Sequence, residues 1–150
     1  MGIIGVGGRG RALLQSYGSI DGVHVKTLCD ADKASLEKAQ AVAVKLGIPK
    51  PGEATDMRRL LDDKELDAVV ITTPDHWHAP AAILADAGKD VYVEKPASHN
   101  IREGRLMIDA ARRNGRLMQV GTQSRSRAST VRAIELIQSG RIGKILMVKA

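Results

Sequence analysis

Short apolar runs alternate with amphipathic stretches along the whole chain. Apolar or β-branched runs at 3–6, 23–29, 68–72, 90–94 and 117–120 predict strands. Between them the apolar positions step by three and four. Leu36, Ala39, Ala43 and Leu46 fall on one face of a helix predicted over 31–46. Helices are predicted likewise over 8–17, 79–87, 101–113 and 130–138, with one or two turns at 56–61 and a short edge strand at 53–55. Asp32, Asp56 and Asn100 stand where N-caps belong, and Glu103 follows Asn100 as in a capping box. Gly47, Gly88 and Gly140 stand where helices end. Residues 121–129 are polar and read as a loop and hinge, and 145–148 begin one more strand.

Strand and helix alternating at this spacing predict an α/β fold, a doubly wound parallel sheet covered by helices on both faces. Composition agrees: 150 residues, 43% hydrophobic and 27% charged, make one ordinary globular domain. Aromatic residues are 2%, too few for a base-stacking surface, and the +6 net charge comes from dispersed cations. Neither a nucleic-acid partner nor a membrane is expected. The single cysteine, Cys29, excludes an intramolecular disulfide and a cysteine-rich zinc site. The absence of a signal segment predicts a cytoplasmic address, or a periplasmic one where an export signal once preceded Met1. Both ends lie inside apolar runs, so the chain reads as a fragment.

Gly5-Val6-Gly7-Gly8-Arg9-Gly10 matches G-x-G-x-x-G between a predicted strand and a predicted helix, the context in which this pattern carries meaning. Gly5 permits a tight turn, Gly7 lets backbone approach a pyrophosphate, and Gly10 lets helix pack close to strand. Free N–H groups at the helix start then face the phosphates. Asp30 ends the second strand, where a carboxylate accepts from ribose hydroxyls and repels a 2′-phosphate. NAD is therefore expected over NADP, with Lys33 close enough to soften the preference. As a bare residue, Asp30 also reads as a helix cap.

Thr72-Thr73-Pro74-Asp75-His76-Trp77-His78 follows the fourth strand, at the edge where ligands bind in open parallel sheets. No further ligands accompany His76 and His78, so no metal site is expected; a turn at Thr73 and Pro74 with His78 capping the next helix fits equally. Glu94-Lys95-Pro96 ends the fifth strand at the same edge. Lys95 there can donate to a substrate oxygen, or be a surface lysine paired with Glu94.

Together these motifs, with Gly121-Thr122-Gln123, resemble the Gfo/Idh/MocA family of oxidoreductases over essentially all 150 residues. The resemblance implies an NAD(P)-binding Rossmann domain followed by an α/β substrate domain that builds homo-oligomers. It places the cofactor domain at 1–143, with the first strand clipped, and the start of the second domain at 144–150. It implies hydride transfer to or from a sugar or polyol, with Lys95 as catalytic lysine and His78 beside the nicotinamide. The alternatives are a redox-neutral, NAD-dependent glycosidase and a non-catalytic nucleotide-binding module. Motif and resemblance together give a cofactor-binding set of Gly5, Gly7, Gly8, Arg9, Gly10, Asp30, Thr72, Thr73, Pro74, His78, Glu94, Lys95 and Gln123. None of His24, His76, His78 or His99 matches the family's catalytic histidine, which belongs to the second domain. This chain alone is expected to bind a dinucleotide and not to catalyse.

Overall fold

A computed structural model describes residues 1–86 and 88–149. Six strands form one sheet: β1 (Gly2–Ile4), β2 (Thr27–Cys29), β3 (Gly52–Ala54), β4 (Ala68–Ile71), β5 (Asp90–Glu94) and β6 (Met118–Gly121). Every pairing is parallel, and the spatial order is β3-β2-β1-β4-β5-β6. The chain winds outward from β1 in one direction, then returns to β4 and winds outward in the other. The carboxyl ends of β1 and β4 thus flank the point where strand order reverses, which is where such sheets open a ligand crevice.

Helices α1 (Gly8–Gly18) and α2 (Lys33–Lys45) cover one face; α3 (Met57–Leu61), α4 (His78–Ala85) and α5 (Ile101–Asn114) cover the other. Adjacent strand residues point to opposite faces, so each strand feeds both cores. Ile3, Leu28 and Val70 pack with Leu13, Leu14, Leu36, Ala39 and Ala43. Ile4, Val69, Ile71 and Val93 pack with Ala79, Ala82, Ala85 and Met107. The run Val69-Val70-Ile71 is fully buried, as a central parallel strand requires; each such side chain contributes about 1.5–3 kcal/mol of transfer free energy. Pro80 is tolerated in the first turn of α4, where its missing N–H has no partner to lose.

The expected caps are present: Asp32 accepts from Ala34 and Ser35, Asp56 from Arg58, and Asn100 from Glu103. Glu103 returns its bond to the N–H of His99, one residue outside the capping-box position. Several expectations are corrected. The loop expected over 121–129 contains a 3-10 turn, Gln123–Ser126, and α6 (Ala128–Gln138) starts two residues before its expected 130. Residues 145–148 form no strand, because among the described residues nothing pairs with them. Strand β2 covers only the last part of the run at 23–29, since its neighbour β1 begins at Gly2. The helix expected over 79–87 is observed to Ala85, and residue 87 lies outside the described residues.

Asp86, behind α4, is fully buried, and among the described residues neither carboxylate oxygen has a hydrogen-bond partner. Burial, with the Asp90 charge adding, pushes its carboxyl up to about 6. A folded-state pKa above the unfolded value means that stability is lost as pH rises from about 4 to about 6. Asp86→Asn is therefore expected to stabilise the fold by about 1–3 kcal/mol at pH 8. The gain shrinks towards zero near pH 4, which urea melts at the two pH values will read.

Candidate functional site

Strand β1 ends because Gly5 turns the chain at φ 86°, a left-handed conformation open to glycine. A Cβ at Gly5 would come within 2.7 Å of the Thr73 backbone nitrogen. One turn on, a Cβ at Gly10 would strike the Gly5 carbonyl and lie 2.8 Å from Thr72 Oγ1. The absence of side chains at both positions lets α1 begin directly against the carboxyl edges of β1 and β4. The Thr72 hydroxyl closes the junction by donating to the Gly5 carbonyl. Gly7 and Gly8 differ: a Cβ at either would meet nothing within 4 Å. Their bareness leaves an open cradle above the loop.

Helices α2 and α5 carry side-chain caps, whereas α1, like α4 and α6, has none; Gly7 caps α1 without a side chain, and no acid stands in its first turn. Its first amides are left for an external acceptor, and the helix dipole favours an anion there. Asp30 faces this loop from the end of β2. Its Oδ2 accepts from the Val6 N–H at 2.8 Å and its Oδ1 from the Asp32 N–H at 3.0 Å. Asp30 is not the cap of α2; Asp32 is.

A cleft of about 770 Å³ opens at this edge. Of the expected residues, Gly5, Gly7, Asp30, Thr72, Thr73 and Pro74 line it. His76 and Trp77, from the stretch expected at this edge, line it too, as do Cys29, Asp32, Thr55, Asp56 and Met57, which were not expected as contacts. Thr55–Met57 follow β3, so the rule that ligands lie beyond strand carboxyl ends pointed there; the short strand gave too weak a signal. Cys29 is buried, and burial, with the Asp30 and Asp56 charges adding, pushes its thiol up to about 11. It is part of the wall and not a nucleophile.

His78 does not cap α4 and does not face the open cleft. It is 1% exposed, with Nδ1 2.6 Å from the Pro96 carbonyl and Nε2 2.8 Å from the Thr73 carbonyl. Its ring ties the segment after β4 to the segment after β5. Lys95 is exposed beside it, and its N–H donates to Glu94 Oε2 at 3.2 Å. Glu94 turns away from Lys95 towards Arg9: Nε donates at 2.7 Å and Nη2 lies 2.6 Å from the same oxygen, Oε1. The expected Glu94–Lys95 side-chain pair is thus replaced by Glu94–Arg9. Gln123 sits in the turn after β6, at the same edge of the sheet. Among the described residues no cluster of His, Cys, Asp or Glu could hold a metal ion.

An uncapped glycine-rich helix start at the switch point of a parallel sheet, with an acid at the end of the next strand, defines a dinucleotide-binding Rossmann domain. The chain belongs to the Gfo/Idh/MocA oxidoreductase family with an NAD-binding Rossmann fold, whose family model matches residues 1–122. It is 31% identical to an α-N-acetylgalactosaminidase of Shewanella oneidensis over 97% of this chain and 33% of that protein. Among solved structures, myo-inositol 2-dehydrogenase from Lactobacillus plantarum superposes with a TM-score of 0.83 at 29% identity, covering 96% of this chain and 42% of that one. A levoglucosan dehydrogenase in complex with NADH and levoglucosan gives 0.79 at 29% identity, covering 97% and 40%. The chain spans about a third of the length of the curated relatives it matches.

The two kinds of glycine separate in a stability measurement. Gly10→Ala forces α1 off the sheet edge and is expected to cost about 1–3 kcal/mol. Gly7→Ala, with its Cβ in open space, is expected to stay within about 0.5 kcal/mol of the parent in a urea melt.

Proposed function

We propose that this chain is the cofactor half of an enzyme moving hydride between NAD and a hydroxyl or ketone of a sugar or polyol. One juxtaposition carries the reading: the uncapped start of α1, the Asp30 carboxylate and Lys95 all stand at one carboxyl edge of the sheet. Gly7, Gly8 and the first amides of α1 would hold the pyrophosphate, and Asp30 the adenosine ribose. Thr73 and Pro74 would form the facing wall, with Gln123 beyond. Asp32 and Asp56 add to Asp30 at the ribose end, so a 2′-phosphate meets three carboxylates and NAD is favoured over NADP.

When bound, the nicotinamide supplies a two-electron hydride acceptor or donor. Lys95 would act on the substrate oxygen. In alcohol oxidation Lys95, as the neutral amine, would take the hydroxyl proton while the carbon loses hydride; in ketone reduction its ammonium form would return that proton to the oxygen. Residues 1–143 would be the cofactor domain, and 144–150 the passage into the part that recognises substrate. Several relatives, at about three times this length, have room for such a part.

A redox-neutral glycosidase is the second reading, favoured by the likeness to an α-N-acetylgalactosaminidase. It would use the same cofactor and lysine but return the hydride within each turnover. Cleavage of a glycoside with no net NADH release separates it from net oxidation.

Calorimetry on the 150-residue chain is expected to show NAD binding. Gly7→Val should remove that binding by filling the cradle while leaving the melting transition in place. Binding that survives the change overturns the placement of the pyrophosphate. In the full-length protein, Lys95→Met should lower turnover about 100-fold or more, far beyond its effect on NAD affinity. Unchanged turnover removes Lys95 from the chemistry.

A further inference from the structure

Glu94 is a carboxylate in an awkward place. It ends β5 at the ligand edge, its side chain is 6% exposed, and its partner Arg9 stands in the loop read here as the phosphate cradle. The neighbouring strand is bare where it passes: a Cβ on Gly121 would lie 2.9 Å from Glu94 Oε1 and 2.6 Å from the Tyr92 hydroxyl. The Tyr92 hydroxyl stands 3.4 Å from Oε1, and Oε2 is taken by the Lys95 N–H. Its one cationic partner among the described residues is Arg9, which comes from the glycine-rich loop itself, 85 residues away in sequence.

Arg9 occupies the position before the third glycine of the motif, in the first turn of α1. A cation in a phosphate-binding turn reads at first as a phosphate ligand. The geometry points elsewhere: Nε and Nη2 both converge on Glu94 Oε1 at 2.7 and 2.6 Å. An unpaired buried carboxylate would repel the pyrophosphate through a poorly screened path. We infer that Arg9 is a positioning residue that neutralises Glu94, so that the phosphate loop presents amides and not a net negative field to the cofactor. The inference rests on reading this cleft as the NAD site. It differs from a direct Arg9–phosphate contact in one respect: the need for Arg9 disappears when Glu94 is neutral.

That difference is measurable on this chain with NAD as the probe. Arg9→Met keeps the apolar stem and removes the charge. It is expected to weaken NAD binding about tenfold or more at low salt, with the deficit narrowing as salt rises and screens the repulsion. Glu94→Gln is expected to bind NAD at least as tightly as the parent, because Arg9 then faces the cofactor unopposed. The double variant Arg9→Met with Glu94→Gln is expected to recover most of the loss. A merely structural ion pair would move the melting temperature and leave this sign pattern absent. Equal weakness in Arg9→Met and the double variant overturns the inference in favour of direct phosphate contact. Full affinity in Arg9→Met overturns it as well. Should Arg9→Met not fold, weaker NAD binding by Glu94→Gln alone overturns it. An unaltered chain that binds no NAD overturns the cofactor-site reading beneath it, an outcome distinct from the others.

Discussion

The close approach of α1 to the carboxyl ends of β1 and β4 is the constraint from which the cleft follows. A helix axis ordinarily stands well off a sheet because side chains fill the gap. Here Gly5 and Gly10 remove those side chains at the contact, and the Thr72 hydroxyl bonds across it to the Gly5 carbonyl. The first turn of α1 is thereby fixed over the switch point, with its amides aimed outward. The Val6 N–H, one residue past the turn, reaches Asp30 and pins the end of β2 to the same loop. The Thr72 N–H bonds the Ile4 carbonyl at 2.8 Å and extends the β1–β4 pairing one step beyond the strands. The glycine loop, the Asp30 carboxylate and the Thr72–Pro74 wall are brought to one edge by one packing contact.

The second face of the sheet serves the same end by different means. Helix α4 is mostly alanine where it touches the strands, so it too packs close and brings the segments after β4 and β5 together. His78 begins that helix with its ring buried between the Thr73 and Pro96 carbonyls. On the other side of Lys95, the backbone N–H is taken by Glu94. The backbone that carries the lysine is thus held from both flanks while its side chain stays exposed. A functional group on a held backbone keeps its direction without being buried by its own domain.

Much of this was legible from residues alone, and what was missed has physical causes. The fold class, the strand order of events and the caps at Asp32, Asp56 and Asn100 follow from short-range periodicity and local hydrogen bonding, which sequence encodes directly. The glycine motif and Asp30 were legible because their spacing reflects a fixed strand–turn–helix geometry. His78 and Arg9 are expected at the cofactor because motifs place residues near a ligand; the carbonyl and carboxylate partners that their side chains take are not written in a motif. The Arg9–Glu94 pair joins residues 85 positions apart, and no periodicity reports such a pair. Residues 145–148 show the converse error: an apolar run states a need for burial, but a strand also needs a partner to bond with.

Along the carboxyl edge of the sheet, polar groups are held to different degrees. At the Asp30 end both carboxylate oxygens are bonded, and Asp32 and Asp56 are fixed as caps, so these acids are preorganised. At the Lys95 end the backbone is fixed but the side chain stands in water, where electrostatic stabilisation of a developing charge is weak. Strengthening it requires excluding that water, and no element among the described residues covers Lys95. The exposed apolar side chains of α6, Val131, Ile134 and Ile137, recur every third residue along one stripe of that helix. They lie downstream of Lys95 in the chain, and neither core cluster among the described residues takes them in. The carboxyl edge of the sheet is thus finished by its own packing around the glycine loop and left open around Lys95.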